Sequence, residues 1–382
     1  MRKKPMKRLL AMVLAVVCVV GLTSTACAID QPPVNSATSA CVMDVDSGRI
    51  LYSKNENAER CIASITKIMT AILVIENNTD FNQVITASKT AAAEDGTSLY
   101  LLEGDKLTLM TGLYGTMLRS GNDAAVAIAE HTAGSVKKFV KMMNAKAKEL
   151  GMTDTHFVNC TGLPAEGHVT SAWDIALMSR ELIEKHPDIR RYTTIWMDTL
   201  RDGAFQLSNT NKLIRFYDGA TGLKTGSTDS AKYCLSATAE REGMELIAVV
   251  LKSPTGQQRF EDAKALLNYG FSTYALLHTA PEEPFPAIPV VLGETETVQP
   301  CIDPQEAVAL VQKSQAGGLS QSVTLAEQVE APVEKGQQIG TLRVVSDGKE
   351  LYSVKLLADS SVARASFGRT LLELVKSYVG LG

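Results

Sequence analysis

Two pairs of strand patterns, far apart along the chain, constrain the fold more than any other feature of the sequence. Residues 38–54 predict two short strands around a turn at residues 46–48. Residues 233–239 and 245–251 predict a second pair around a turn at residues 241–243. The segment between the two pairs is mostly helical in pattern. The region therefore predicts one antiparallel sheet covered by helices, which is an α+β domain.

Apolar residues recur at helical spacing in several segments of this region. The first such segment begins near Ser64, and four of its apolar residues would share one side of a helix. The predicted helices span residues 64–76, 109–118, 123–132, 136–150, 172–185 and 258–277.

A proline-rich stretch at residues 281–289 predicts a domain boundary. The first domain would span residues 29–280, and a small all-β domain would follow over residues 281–360, with a hairpin at residues 342–357. Residues 361–382 predict an amphipathic C-terminal helix. Such a helix could pack on its own domain or lie on a membrane surface, and the pattern alone leaves both interpretations open.

The N-terminal 28 residues have the pattern of a secretory signal peptide. Five basic residues precede an apolar run at residues 9–22, and Ala26-Cys27-Ala28 fits a cleavage site. The run is shorter than the roughly 20 apolar residues of a membrane-spanning helix. We therefore expect secretion across the cytoplasmic membrane, either to the cell wall or to the outer face of that membrane. A lipoprotein signal at Cys27 is the alternative, but Ser24 stands where such signals usually carry leucine.

Charge and cysteine content exclude several classes of function. Without residues 1–28 the chain has 33 basic and 42 acidic residues, a net charge of about −9, which disfavours nucleic acid as a partner. The five cysteines that follow residue 28 are scattered, so neither a zinc site nor a dense disulfide framework is expected. No metal or organic cofactor is implied.

Ser64 and Lys67 form an S-x-x-K motif that can carry chemistry. On a helix the two side chains would share a face, with Cβ atoms about 5–6 Å apart. A serine hydroxyl becomes a good nucleophile when a base accepts its proton. Cys61 is the alternative nucleophile, but no histidine is near it in the sequence to activate it. A second S-x-x-K at residues 135–138 is better interpreted as a helix cap.

Two further motifs follow in order, Ser120-Gly121-Asn122 and Lys224-Thr225-Gly226. Each would be an ordinary turn if it stood alone. The order S-x-x-K, S-x-N, K-T-G is much more specific, because it is the signature of penicillin-binding proteins and class A β-lactamases.

The sequence resembles the low-molecular-weight penicillin-binding proteins that act as D-alanyl-D-alanine carboxypeptidases, peptidase family S11. Residues 96–124, 159–164, 167–172 and 259–271 are similar to family blocks. The resemblance covers residues 37–277, and more loosely the β-rich tail.

The chain departs from the family pattern at three places. Gly121 replaces the aspartate of S-D-N, Ile62 stands where proline is frequent, and Lys232 stands where the family often has glycine. None of these positions carries a catalytic group, so the functional implication is unchanged.

The resemblance implies a β-lactamase/transpeptidase-like domain that acts on peptidoglycan stem peptides and is inhibited by β-lactams. Ser64 would attack the carbonyl between two terminal D-alanines. Lys67 would be its base, with a pKa lowered by the nearby charge of Lys224. Ser120 would relay the proton to the departing D-alanine.

The substrate-binding residues are also implied by the resemblance. The backbone N–H groups of Ser64 and Ser227 would hold the oxyanion, and Asn122 would hold Lys67 and the substrate amide. Lys224 and Thr225 would bind the terminal carboxylate, beside Gly226. Arg259 matches a family arginine that assists binding.

Three other functions compete with this one. A class A β-lactamase needs a glutamate in an E-x-x-L-N stretch, and Glu166 is not followed by that pattern. A non-catalytic peptidoglycan-binding protein would usually have lost a catalytic residue, and none is missing. A Ser-His-Asp hydrolase is disfavoured because the chain has no G-x-S-x-G motif. His168 is interpreted as a residue that stabilises its loop.

Overall fold

The computed structural model describes residue 34 and residues 36–368, apart from residues 202, 279–282, 304–306, 316–318 and 347. The predicted signal peptide lies outside the described residues. The chain divides into two compact units, with the boundary between Ser272 and Thr273. The predicted boundary lies about eight residues further on, at the proline-rich stretch.

The N-terminal unit contains nine strands and nine helices among its described residues. Its strands are β1 Ser39–Asp44, β2 Ile50–Lys54, β3 Val84–Thr86, β4 Lys106–Thr108, β5 Met197–Leu200, β6 Phe205–Ser208, β7 Ala220–Thr228, β8 Lys232–Arg241 and β9 Met244–Ser253. Its helices are α1 Lys67–Asn77, α2 Lys89–Ala92, α3 Leu109–Leu118, α4 Asn122–Ala133, α5 Val136–Glu149, α6 Ala172–Lys185, α7 Arg190–Thr193, α8 Leu213–Phe216 and α9 Gly256–Thr273. Two 3₁₀ helices span Ala63–Thr66 and Pro187–Ile189.

The main sheet joins the two predicted strand pairs, as expected. Its order is β2-β1-β9-β8-β7, and every neighbouring pair is antiparallel. The first strand pairs with the last, with Val42 opposite Ala248. The α+β fold is therefore confirmed, and β7, which carries the K-T-G motif, lies at one edge of the sheet.

Local capping explains why several helix bounds were predictable. The hydroxyls of Thr108 and Ser171 accept hydrogen bonds from the first-turn N–H groups of α3 and α6. Both helices have the bounds that the sequence predicted. Ser135 caps α5 by accepting from the N–H of Lys138, so the second S-x-x-K is a helix cap, as predicted.

The core of this unit lies between the sheet and its helices. One face of the sheet contributes Met43 and Val249, and α1 contributes Ile68 and Ile72, all fully buried. The first residues of α1 are therefore held between packed elements, which limits the movement of any functional group that they carry.

The C-terminal unit consists of short antiparallel sheets in its described residues, which confirms the predicted all-β character. Its strands are β10 Tyr274–His278, β11 Ile288–Val291, β12 Thr297–Val298, β13 Pro300–Cys301, β14 Val308–Gln312, β15 Leu319–Leu325, β16 Val329–Glu330, β17 Gln338–Ser346 and β18 Lys349–Ala358. The predicted hairpin at residues 342–357 forms from β17 and β18. A parallel pair of β11 with β16 is the exception to the antiparallel pattern.

The helix predicted to run to Leu277 ends at Thr273, because the next residues form β10 and pair with β14. The predicted C-terminal helix lies largely outside the described residues. Val362 and Arg364 form bridges with Val333 and Gly293, so the chain still belongs to the β-rich unit there.

Candidate active site

Ser64 lies in the 3₁₀ helix that leads into α1, rather than in the α-helix predicted to begin there. The side chain of Ser64 is half-buried, and Lys67, the first residue of α1, is fully buried. The turn of 3₁₀ helix still places Ser64 and Lys67 on one face. The Nζ atom of Lys67 lies 2.9 Å from the Oγ atom of Ser64.

Lys67 Nζ has three oxygen partners. Besides Ser64 Oγ, these are Asn122 Oδ1 at 2.6 Å and the backbone carbonyl of Thr161 at 2.6 Å. The oxygens of Asn122 and Thr161 can only accept hydrogen bonds. A neutral amine has two N–H groups and one lone pair. Donating to these two acceptors leaves the lone pair of Lys67 to accept the proton of Ser64.

Burial gives Lys67 a pKa suited to this role. Removal from water lowers its pKa to about 7. Cys160 would oppose this shift only as a thiolate, and burial raises the pKa of that thiol to about 12. The prediction that Lys224 lowers this pKa is wrong, because Lys224 is not among the charged groups that shift it. Lys224 is instead the residue whose pKa is lowered well below its usual value, by burial first and then by Lys67 and Arg259.

The loop at residues 159–164 presents the Thr161 carbonyl to Lys67. The side-chain oxygen of Asn159 accepts from the N–H groups of Thr161 and Gly162, at 3.2 and 2.7 Å. This carbonyl was not predicted from the sequence, because a backbone acceptor has no side-chain signature. Its one signal was that the loop is similar to a family block.

Gly162 makes this arrangement possible. It has a φ of +85°, and a Cβ atom there would lie 1.9 Å from the carbonyl oxygen of Ala63. No side chain therefore fits between the loop and the residue that precedes Ser64.

Replacing Gly162 with alanine is expected to destabilise the fold by about 3 kcal/mol or more, because backbone on both sides must move. Gly151→Ala is the matched control, because Gly151 has a φ of +74° but no atom within 4 Å of the added Cβ. It should cost only the roughly 1–2 kcal/mol of the left-handed conformation. Urea unfolding of both variants measures the difference, and equal losses would contradict the packing argument.

The K-T-G strand approaches Ser64 at Gly226. A Cβ atom at Gly226 would lie 2.6 Å from the carbonyl oxygen of Ile62 and 2.9 Å from the backbone nitrogen of Ser64. The glycine therefore permits the edge of the sheet to contact the nucleophile segment. Ser227, the next residue, is exposed on the same strand. The predicted oxyanion donors are thus carried by adjoining backbone segments.

Lys224 and Thr225 of this strand are buried. Lys224 Nζ lies 3.1 Å from the carbonyl of Thr225, and the hydroxyl of Thr225 donates to the Thr210 hydroxyl at 2.6 Å. Arg259 lies on α9 and donates to the carbonyls of Gly226 and Cys234, at 3.3 and 3.2 Å. Arg259 therefore supports the strand that contains Lys224.

Ser120 lies in the turn between α3 and α4, and Asn122 is the first residue of α4. Ser120 is buried with a φ of +70°, and its hydroxyl has no hydrogen bond to the described residues. Asn122 donates from Nδ2 to the carbonyl of Asp95 at 2.5 Å. One N–H of the Asn122 side chain therefore already donates a hydrogen bond, and a substrate amide could accept only from the other.

A cavity of about 340 Å³ adjoins Ser64 on the side of residues 162–168. It is lined by residues that include Cys61, Ala63, Glu166 and Thr228. Cys61 is exposed and free, whereas Cys160 and Cys234 are buried thiols. Across the described part of the chain, no three His, Cys, Asp or Glu side chains are placed to hold a metal ion. The described helices also include none that could span a membrane.

A serine–lysine pair at the start of a buried helix faces the edge strand of an antiparallel sheet, and a lysine and a threonine lie on that strand. This combination of fold and site defines the transpeptidase-like class of α+β proteins. The segments that converge are far apart in the sequence.

Comparison with known proteins identifies the family. Residues 26–255 match the D-alanyl-D-alanine carboxypeptidase family, Peptidase S11, and residues 283–364 match the C-terminal domain of penicillin-binding protein 5. The chain belongs to the peptidase S11 family of D-alanyl-D-alanine carboxypeptidases.

Individual relatives are similar over 62% to 87% of this chain. D-alanyl-D-alanine carboxypeptidase DacF of Bacillus subtilis is 36% identical over 87% of this chain and 87% of its own length. Penicillin-binding protein 5 of Haemophilus influenzae is similar in structure, with a TM-score of 0.75 and 27% identity over 87% of this chain and 99% of that chain. Ampicillin-bound penicillin-binding protein D2 of Listeria monocytogenes has a TM-score of 0.57 and 35% identity, over 62% and 97% of the two chains.

Proposed function

We propose that this protein is a serine-type D-alanyl-D-alanine carboxypeptidase that acts through a Ser64 acyl-enzyme. The observation that carries the proposal is the set of three partners around Lys67 Nζ. Two fixed acceptors, Asn122 Oδ1 and the Thr161 carbonyl, occupy the N–H groups of a neutral lysine. Its lone pair then lies toward the Ser64 hydroxyl, 2.9 Å away.

In the acylation step, Lys67 accepts the Ser64 proton while Oγ attacks the carbonyl between the two D-alanines. The negative oxygen that forms is stabilised by the backbone N–H groups of Ser64 and Ser227. The peptide C–N bond breaks, and the departing amine takes a proton that Ser120 relays from the Lys67 ammonium. Lys224 and Thr225 bind the carboxylate of the leaving D-alanine, after Thr225 exchanges its bond to Thr210.

In the deacylation step, water attacks the ester carbonyl and Lys67 accepts its proton. The C–O bond to Ser64 breaks, and the serine oxygen recovers the proton from Lys67. The products are the shortened stem peptide and free D-alanine. β-Lactams would acylate Ser64 in the same way. The resulting ester would persist because water hydrolyses it only slowly.

The proposal is tested with protein that lacks residues 1–28. Incubation with a peptide that ends in Lys-D-Ala-D-Ala should release one D-alanine per peptide, measured with a D-amino-acid oxidase assay. A peptide that ends in Lys-D-Ala-L-Ala is the control and should remain intact, as measured by mass spectrometry. Absence of both D-alanine release and covalent labelling by penicillin would favour a non-catalytic binding protein.

Nitrocefin turnover discriminates against the β-lactamase alternative. Among the described residues, no carboxylate is hydrogen-bonded to Ser64 or Lys67, and Glu166 is exposed in its loop. We therefore expect one rapid equivalent of nitrocefin to be consumed and then very slow hydrolysis. Sustained rapid hydrolysis would contradict the carboxypeptidase assignment.

Acylation should depend on pH through Lys67. Below a pKa of about 7 the lysine is protonated and cannot accept the serine proton. The acylation rate should therefore rise about tenfold per pH unit between pH 5 and 7, and level off above pH 7. Stopped-flow labelling with a fluorescent penicillin measures this, with tryptophan fluorescence as the control for folding. A midpoint near pH 10 would contradict the proposed state of Lys67.

We also infer secretion, with action on peptidoglycan outside the cytoplasmic membrane and a C-terminal segment that lies on the membrane surface. A chain that ends at Gly368 keeps the bridges made by Val362 and Arg364. When this shortened chain is expressed in a bacterial host with residues 1–28 retained, it should be found in the medium or in the soluble periplasmic fraction. The full-length protein should sediment with membranes, and equal distribution of the two would contradict the inferred anchor.

A further inference from the structure

Ala63, the residue that precedes Ser64, has an unusual backbone conformation. Its φ is +50°, in the left-handed region that non-glycine residues rarely adopt. Alanine has no side chain that favours this conformation, so the surroundings must hold it. Because the Ala63–Ser64 peptide contains the N–H group of Ser64, this conformation sets the direction of a predicted oxyanion donor.

A hydroxyl group holds the Ala63 carbonyl from one side. Thr66 Oγ1 donates to the Ala63 oxygen at 2.9 Å, within the same 3₁₀ turn. Gly162 lies against that oxygen and leaves room for it. Thr66 itself is fully buried, so no water replaces this bond if the hydroxyl is removed.

His168 determines the direction of the Thr66 hydroxyl. The N–H of Val158 points at His168 Nδ1 at 3.1 Å, so Nδ1 is an acceptor and the proton lies on Nε2. The Nε2 atom is 2.8 Å from Thr66 Oγ1 and donates to it. The threonine oxygen is then an acceptor from His168, and its own proton remains for the Ala63 carbonyl.

The imidazole is suited to this fixed tautomer. Burial first, and then the neighbouring His156, lower the pKa of His168 to about 4, so the ring is neutral near pH 7. The hydrogen bonds therefore run one way, from Val158 through His168 and Thr66 to Ala63.

We propose that Thr66 and His168 are positioning residues for catalysis, because their hydrogen bonds hold Ala63 in the conformation that directs the Ser64 N–H and hydroxyl. Neither residue contacts the reacting atoms. The proposal rests on the proposed function, in which Ser64 is the nucleophile. It assigns to His168 a role beyond the stabilisation of its own loop.

Thr66→Val is the principal test, because it keeps the side-chain shape and removes the hydroxyl. Its maximal acylation rate with a fluorescent penicillin should fall about tenfold or more, while the apparent dissociation constant changes by less than about twofold. Thr66→Ser keeps the hydroxyl and should recover the rate to within about threefold of the wild type. Affinity for a peptide boronic acid, which forms a tetrahedral adduct with serine, should fall in parallel with the rate.

Thr116→Val is the matched control. Thr116 is also a buried threonine whose hydroxyl donates to a backbone carbonyl, that of Gly112 at 2.8 Å, within α3. Its rate should match the wild type. His168→Leu leaves the Thr66 hydroxyl but removes the group that donates to it, and its maximal acylation rate should fall at least about threefold. This variant takes the place of Thr66→Val if Thr66→Val does not fold.

The outcomes separate the two proposals. Wild-type protein that is not acylated at all would overturn the proposed function, and this proposal with it. Normal acylation of the wild type with a Thr66→Val rate within threefold of it would overturn only the positioning role. Equal losses in Thr66→Val and Thr116→Val would do the same, because any buried hydroxyl would then have that effect.

Discussion

Ser64→Ala is expected to abolish covalent labelling by penicillin and to lower D-alanine release by about 10⁴-fold or more. The loss should be this large because no other described group can replace the nucleophile. Cys61 is three residues away and exposed, but Lys67 Nζ contacts Ser64 rather than Cys61. Mass spectrometry of the protein after incubation with benzylpenicillin measures the adduct directly.

The second S-x-x-K motif provides the matched control for this variant. Ser135→Ala removes the cap of α5 and should cost about 1 kcal/mol in the free energy of unfolding. Its labelling should equal that of the wild type. An adduct that persists in Ser64→Ala would show that another residue is the nucleophile, and peptide mapping would then locate it.

The bounds of helices with an N-cap residue were the part of the fold that the sequence predicted best. The predicted bounds of α3 and α6 were confirmed because a threonine or serine at each N-cap marks the first residue. The strand pairs were also predictable, since alternating patterns at both ends of the domain had to pair with each other. The helix caps and each hairpin turn depend on neighbours within a few residues, whereas the pairing of β1 with β9 joins Val42 to Ala248.

The segment after α9 shows why other bounds could not be predicted. Residues 274–277 continue the helical pattern, yet they form β10 because β14, about 30 residues further on, offers a pairing partner. Strand preference depends on that partner, which a local pattern does not contain.

The candidate site divides in a similar way. Side-chain motifs predicted that Ser64, Lys67, Asn122 and the K-T-G strand would come together, and the hydrogen bonds and glycine contacts place them so. The carbonyl of Thr161 was missed, since a backbone oxygen is recognised only once the fold is known. The cause of the lowered Lys67 pKa was misassigned for the same reason, because burial is a property of the fold.

Lys67→Met is expected to lower the acylation rate by about 10³-fold, which is the usual contribution of a positioned general base. Methionine has a similar length and no lone pair basic enough to accept the serine proton. The fold should survive. The variant removes a buried amine but leaves Asn122 Oδ1 and the Thr161 carbonyl without a donor, which costs about 1–3 kcal/mol for each unpaired group.

Activity and stability should therefore separate in Lys67→Met. Thermal unfolding would show a folded protein of reduced stability, and stopped-flow labelling would show almost no acylation. Lys138→Met, in the exposed second motif, should change neither property. A Lys67→Met rate within tenfold of the wild type would mean that a different group accepts the Ser64 proton. Glu94 would then be the residue to examine, because burial raises its pKa and it lies on the other side of Thr161.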